Sequence, residues 1–81
     1  MRLRADLILV LDLKAAGIPF TTPSAVFKCA KRLNSGAAYR AATNYLLAYA
    51  ALETWPQAIE STNFMARCMG RYARQIEAEG A

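Results

Sequence analysis

"LETWPQAIE", residues 52–60, decides how this chain folds. Pro56 stops any helix that runs into it, because it lacks an N–H and its ring clashes with the preceding turn. Thr54, Pro56 and Gln57 have the spacing of a helix start: Thr54 as N-cap, Gln57 three residues on, together a capping box. An alanine- and tyrosine-rich segment lies before this signal and a long amphipathic one after it. So short a link predicts an antiparallel helical hairpin.

The segment before the link is expected to start at a Ser35 cap, just past the turn "NSG" (34–36), and to reach about Glu53. Ala38, Ala41, Ala42, Tyr45, Ala48, Tyr49 and Leu52 form its packing face. Alanines at these spacings admit a second helix closely, and tyrosines fill the flanks but need partners for their hydroxyls. The segment after the link is expected to run to about Ala78, with Ile59, Met65, Cys68, Met69, Tyr72 and Ile76 as its apolar stripe. Polar "ESTN" (60–63) is expected to weaken or kink it, and the tail "EGA" to fray.

Upstream, "GIPFTTPSAVFKCAKRLN" (17–34) reads as a stop and a new start. Gly17 suits the left-handed position that closes a helix. Pro19 cannot continue it, and Ile18 and Phe20 are expected to plug the core. Thr22 as N-cap and Pro23 at the first helical position open a second helix to about Leu33. Its inner face is Val26, Cys29, Ala30 and Leu33, with Ser24, Lys28, Lys31 and Arg32 largely off that face. The first segment, Arg2 to about Ala16, is apolar almost all round through Leu3, Leu7, Ile8, Leu9, Val10 and Leu11. That suits a central helix or one shared with a partner. A strand at "LILVL" competes, but leucine outweighs the β-branched residues there. The expected fold is therefore all-α, with residues 1–81 forming one small domain of about four helices and an antiparallel C-terminal hairpin.

Composition narrows function. The chain is 56% hydrophobic, against about 45–50% for ordinary domains. A domain of 81 residues has little interior in which to hide that excess, so part of it is expected to face another chain. No secretory start or membrane span is expected, since Asp6, Asp12 and Lys14 interrupt the first apolar run and "YLLAYAAL" is far too short. With no histidine and only Cys29 and Cys68, no zinc site follows and no cofactor is expected. A Cys29–Cys68 disulfide cannot be inferred, and a reducing, cytoplasmic setting is the expectation. Histidine's absence also removes the commonest general base, the acids are scattered, and no glycine-rich phosphate loop exists. The expectation is a binding protein, not an enzyme.

Two binding surfaces suggest themselves. The net charge is +4, and no acid falls between Leu13 and Leu52, where Lys14, Lys28, Lys31, Arg32 and Arg40 lie. "LKAAGIPFTTPSAVFKCAKRL" (13–33) resembles a helix-turn-helix in outline, which implies DNA contact through Ser24, Lys28, Lys31 and Arg32. Its connection is longer than the usual 3–4-residue turn and contains a proline, and its second helix is short of the Asn, Gln and Arg side chains that read bases. The stronger expectation lies on the last helix. Arg67, Arg71 and Arg74 form one stripe, with Phe64, Met65, Met69 and Tyr72 beside them. Met, aromatic and Arg side chains are typical of protein-binding surfaces. The expected function is docking on a larger protein, inhibiting or modulating it, with a homodimer through the same surface also expected. In size, alanine content and lack of a reactive site, the chain looks like the small helical proteins with which phages and mobile elements modulate host machinery.

Overall fold

The computed structural model describes the backbone of residues 2–80 and the side chains of residues 7–80. Four helices follow in order: α1 (Arg2–Ala15), α2 (Pro23–Leu33), α3 (Gly36–Leu52) and α4 (Pro56–Gly80). The described residues contain no strand, so "LILVL" is helical. The side chains of Leu3 and Asp6 lie outside the described residues.

α3 is the hub. It packs along α4 and also carries α1 and α2, whereas α1 rests on α3 alone among the described residues. The sequence allowed α1 a central place, but α3 holds it, for a reason of side-chain size. α3 buries Ala38, Ala41, Ala42 and Ala50 together with Leu46, Tyr39 and Tyr45. Methyl-sized side chains let neighbouring helices approach from several directions, while larger ones interdigitate between them. α4 answers with Thr62, Ala66, Met69, Gly70 and Ala73. The pair is antiparallel: Gly36 lies beside Ile76, Thr43 beside Gly70, and Arg40 reaches Glu77. Arg40 donates two hydrogen bonds to the Glu77 carboxylate, Nε to Oε2 at 2.8 Å and Nη2 to Oε1 at 2.6 Å, and so clasps the open end of the hairpin.

Each connection is closed by local hydrogen bonds. After α1, Gly17 has φ +90°, which favours glycine. Ile18 N–H donates to Leu13 C=O at 2.9 Å and Gly17 N–H to Lys14 C=O at 3.0 Å, the paired bonds of a Schellman stop. Leu13 and Ile18 are both buried, supplying the apolar contact that accompanies this motif. Phe20 does not follow Ile18 inside. It is exposed, edge-on to Tyr45 with centroids 5.8 Å apart, because the pinned loop turns it outward. Thr22 Oγ1 accepts from Ala25 N–H and Ser35 Oγ from Ala38 N–H, so both expected N-caps form.

The link from α3 to α4 differs in detail from the expected capping box. The helix starts at Pro56, and Thr54 does not cap it through its side chain. Instead Glu53 Oε1 accepts from the N–H groups of Thr54 (2.9 Å) and Trp55 (3.3 Å). A carboxylate is the stronger acceptor, and its charge suits the positive end of α4. "ESTN" does not kink α4. Glu60 and Ser61 face solvent and Thr62 faces the core, so the polar run fits an unbroken helix that continues to Gly80. Cys29 and Cys68 are free, half-buried thiols.

Two α3 tyrosines pin the loops around the hub. Tyr39 Oη donates to Asn34 Oδ1 at 2.9 Å, holding the turn between α2 and α3. Tyr45 Oη donates to Thr21 C=O at 2.9 Å, holding the loop that carries Phe20. Burial, with a smaller contribution from Tyr49, pushes the Tyr45 phenol above its usual pKa. Among the described residues, no buried side-chain N or O atom lacks a partner.

Two outcomes follow. Leu46 is fully buried while its neighbour Leu47 is half exposed. Leu46→Ala should cost about 2–5 kcal/mol, and Leu47→Ala within about 0.5 kcal/mol, in urea denaturation. Arg40 holds the Glu77 carboxyl below its ordinary value of 4.5, chiefly by hydrogen bonding. The unfolded chain therefore binds that proton more readily, so the pair's contribution is present above the ordinary value and fades as pH falls through the lowered one. Thermal melts of wild type and Glu77→Gln should differ most near neutrality and converge in acid.

Candidate functional site

The outward face of α4 carries Arg67, Arg71 and Arg74, all exposed. They border a shallow cleft of about 300 Å³ whose other lining comes from Thr43, Leu47, Ala66 and Gly70. Small residues make the floor because this is the edge of the α3–α4 seam. Arg74 lies low in the cleft: a Cβ added at Gly70 would meet one of its terminal nitrogens at 3.7 Å. Leu47 stands half exposed at the side, an apolar contact among three cations. The sequence did not single out Leu47, because "YLLAYAAL" is apolar on every side and nothing in it tells Leu46 from Leu47.

Arg40–Glu77 is the ion pair formed among the described residues, and none of Arg67, Arg71 and Arg74 holds a carboxylate there. Glu77 sits close enough to feel the charge of Arg74, but its hydrogen bonds go to Arg40. The three guanidiniums thus keep their planar donor edges available.

The apolar residues expected beside them divide between core and surface. Met69 is fully buried and has no surface to offer a partner, which corrects its place on the expected docking face. The cause is geometric, since the same stripe that approaches α3 carries Met69 into the core with Ala66 and Ala73. Met65 and Tyr72 are half-buried against that core, Tyr72 with its ring 5.4 Å from that of Tyr39. Phe64 is exposed, at an open depression shared with Ser24, Glu60 and Arg67. The face that remains is Phe64, Arg67, Arg71 and Arg74, extended by Leu47 of α3.

The alternative set, Ser24, Lys28, Lys31 and Arg32, is exposed on α2. Lys31 has its ammonium 5.3 Å from the Phe27 ring centroid, a cation–π distance. The helix-turn-helix arrangement itself is not formed by these helices. Among the described residues α1 and α2 do not pack on each other, and each is held separately by α3. The loop between them, residues 16–22, is shaped by Ile18 and the Tyr45 hydrogen bond instead of by a tight turn.

A second surface is apolar. Leu9, Phe20, Tyr45, Ala48, Tyr49 and Leu52 enclose a crevice of about 230 Å³ between α1 and the C-terminal half of α3. On α1, Leu7, Ile8 and Leu11 are more than half exposed, on the side away from buried Leu13. Composition implies this surplus but does not place it, because α1 is apolar all round.

Among the described residues, no group of three or more Cys, Asp or Glu comes together to hold a metal ion, and no helix is long and apolar enough to cross a membrane. No protein-family model, no curated protein and no solved structure matches this chain.

Proposed function

We propose that this chain is a non-enzymatic binding module that docks on a larger protein through the arginine-rimmed face of α4, occluding or reshaping the surface it covers. The observation that supports this reading is the row Arg67, Arg71 and Arg74 along a cleft walled by exposed Leu47, with no carboxylate partner among the described residues. Guanidiniums make bidentate, planar contacts with carboxylates, and Arg is enriched at interface hot spots. The partner that fits carries Asp or Glu flanking an apolar ridge, the ridge meeting Leu47 and Phe64. Modulation of a host machine by a phage or mobile-element protein is the biological setting we assign to this docking, and a cytoplasmic location goes with it.

DNA binding through Ser24, Lys28, Lys31 and Arg32 is the competing reading, and one experiment separates the two. Tagged wild type, Arg67→Glu/Arg71→Glu/Arg74→Glu and Lys28→Ala/Lys31→Ala/Arg32→Ala are used for capture from cells of the source organism, with protein and nucleic acid both assayed. All six positions are exposed, so the fold should persist. The expected result is a protein complex lost at least tenfold with the arginine variant and kept with the lysine variant. Retention of nucleic acid that disappears with the lysine variant would overturn the proposal.

A further inference from the structure

Resting on the docking reading above, we infer that the segment of the partner seated on the arginine row is an acidic α-helix. It inserts one apolar side chain beside Leu47 and carries a carboxylate about one helical turn to either side of it. Arg67, Arg71 and Arg74 follow one another at four and three residues. At about 1.5 Å rise and about 100° per residue, they run about 10 Å along α4 inside an arc of about 60°. Their average spacing, about 3.5 residues, is the one at which two helices stay side by side at a crossing angle of about 20°.

The cleft sets what can enter. Its volume is about 300 Å³, and Ala66 and Gly70 of α4 with Thr43 of α3 supply only small groups to its floor. A helix about 10–12 Å across is too wide to sink into it. Such a helix rests on the rim and sends one side chain in, where half-exposed Leu47 gives that side chain an apolar wall. Residues three or four positions away on the same helical face then lie over the arginines.

An extended segment fits less well. Strands dock by adding main-chain hydrogen bonds to an open edge, and both walls here are helices that spend those bonds internally. A nucleic-acid backbone would set phosphates against Leu47, which has no polar group to offer them. Charge gives the partner its sign. Arg40 is already neutralised by its two hydrogen bonds to Glu77. Glu60 shares the adjoining depression with Phe64 and Arg67, but makes no ion pair with Arg67 among the described residues. Three guanidiniums remain for the partner, and a guanidinium grips a carboxylate through two parallel hydrogen bonds.

Fluorescence anisotropy of the full chain with labelled peptides tests this. Two alanine-based peptides of about eighteen residues share one composition. The first sets glutamates four residues before and four after a central leucine, on one face of a helix. The second sets them two before and two after, on the leucine's face of a strand but opposite it on a helix. The first should bind wild type at least tenfold tighter than the second and gain helix on binding, read by circular dichroism. Arg67→Glu/Arg71→Glu/Arg74→Glu should bind it at least tenfold more weakly. Gly70→Met keeps all three cations but fills the cleft, and with native helix content it should weaken binding as much. Absent or equal binding of the two peptides, undiminished binding by Gly70→Met of native helix content, or preference for a duplex DNA of about 20 base pairs would each overturn the inference. So would a self-associated chain in sedimentation that the arginine variant turns into monomer. Equal peptide binding alongside a captured complex lost in the arginine variant would remove the helix and leave the docking reading standing.

Discussion

The close packing of α3 on α4 is the constraint on which the other features depend. It is made by short side chains, Ala38, Ala42, Ala66 and Ala73, with Leu46 and Met69 filling between them. Each large buried side chain contributes about 1.5–3 kcal/mol, and a domain of this size has few of them to spend against chain entropy. The hairpin therefore gathers supports at both ends. Glu53 orders the link, and the Arg40–Glu77 pair joins the first turns of α3 to the last turns of α4.

A core of small residues has consequences elsewhere. An alanine-rich hub accepts helices on several sides, and α1, α2 and α4 all reach α3. It also brings little bulk, so the tyrosines supply it, and their hydroxyls then fix the loops. Tyr39 holds Asn34, which itself sits in the left-handed region, and Tyr45 holds Thr21. The same economy leaves large apolar residues with no interior to enter. Leu7, Leu11, Phe20 and Leu52 are all more than half exposed.

Local grammar was legible in the sequence; facing was legible only where the pattern is uneven. Gly17, Thr22, Pro23, Ser35 and Pro56 place the helix ends, because each acts through backbone chemistry that needs no tertiary context. The Thr54 cap does not form: α4 starts at Pro56, one residue later than that cap requires, and Glu53 takes the Thr54 N–H that a capping-box Gln57 would have accepted. The α4 site was half legible. Spacing puts three arginines in one row, but Met69 lies only about 40° round the helix from Met65, and only the direction of α3 decides that it is buried. In α1 and α3 apolar residues go all round, so Leu46 and Leu47 look alike until the neighbours are in place.

The two exposed faces therefore share one support. The arginine row borders the α3–α4 seam, and the α1 face hangs from the other side of α3. If that hairpin is the frame, its amides must be the last to open. Native-state hydrogen exchange measures this directly. The amides of Ala42, Leu46, Met69 and Ala73 should exchange only through global unfolding, with denaturant dependence equal to that of the whole domain, and α2 amides should exchange earlier through smaller openings. Exchange of the α3 and α4 amides by a sub-global opening, while α2 stays protected, would contradict it.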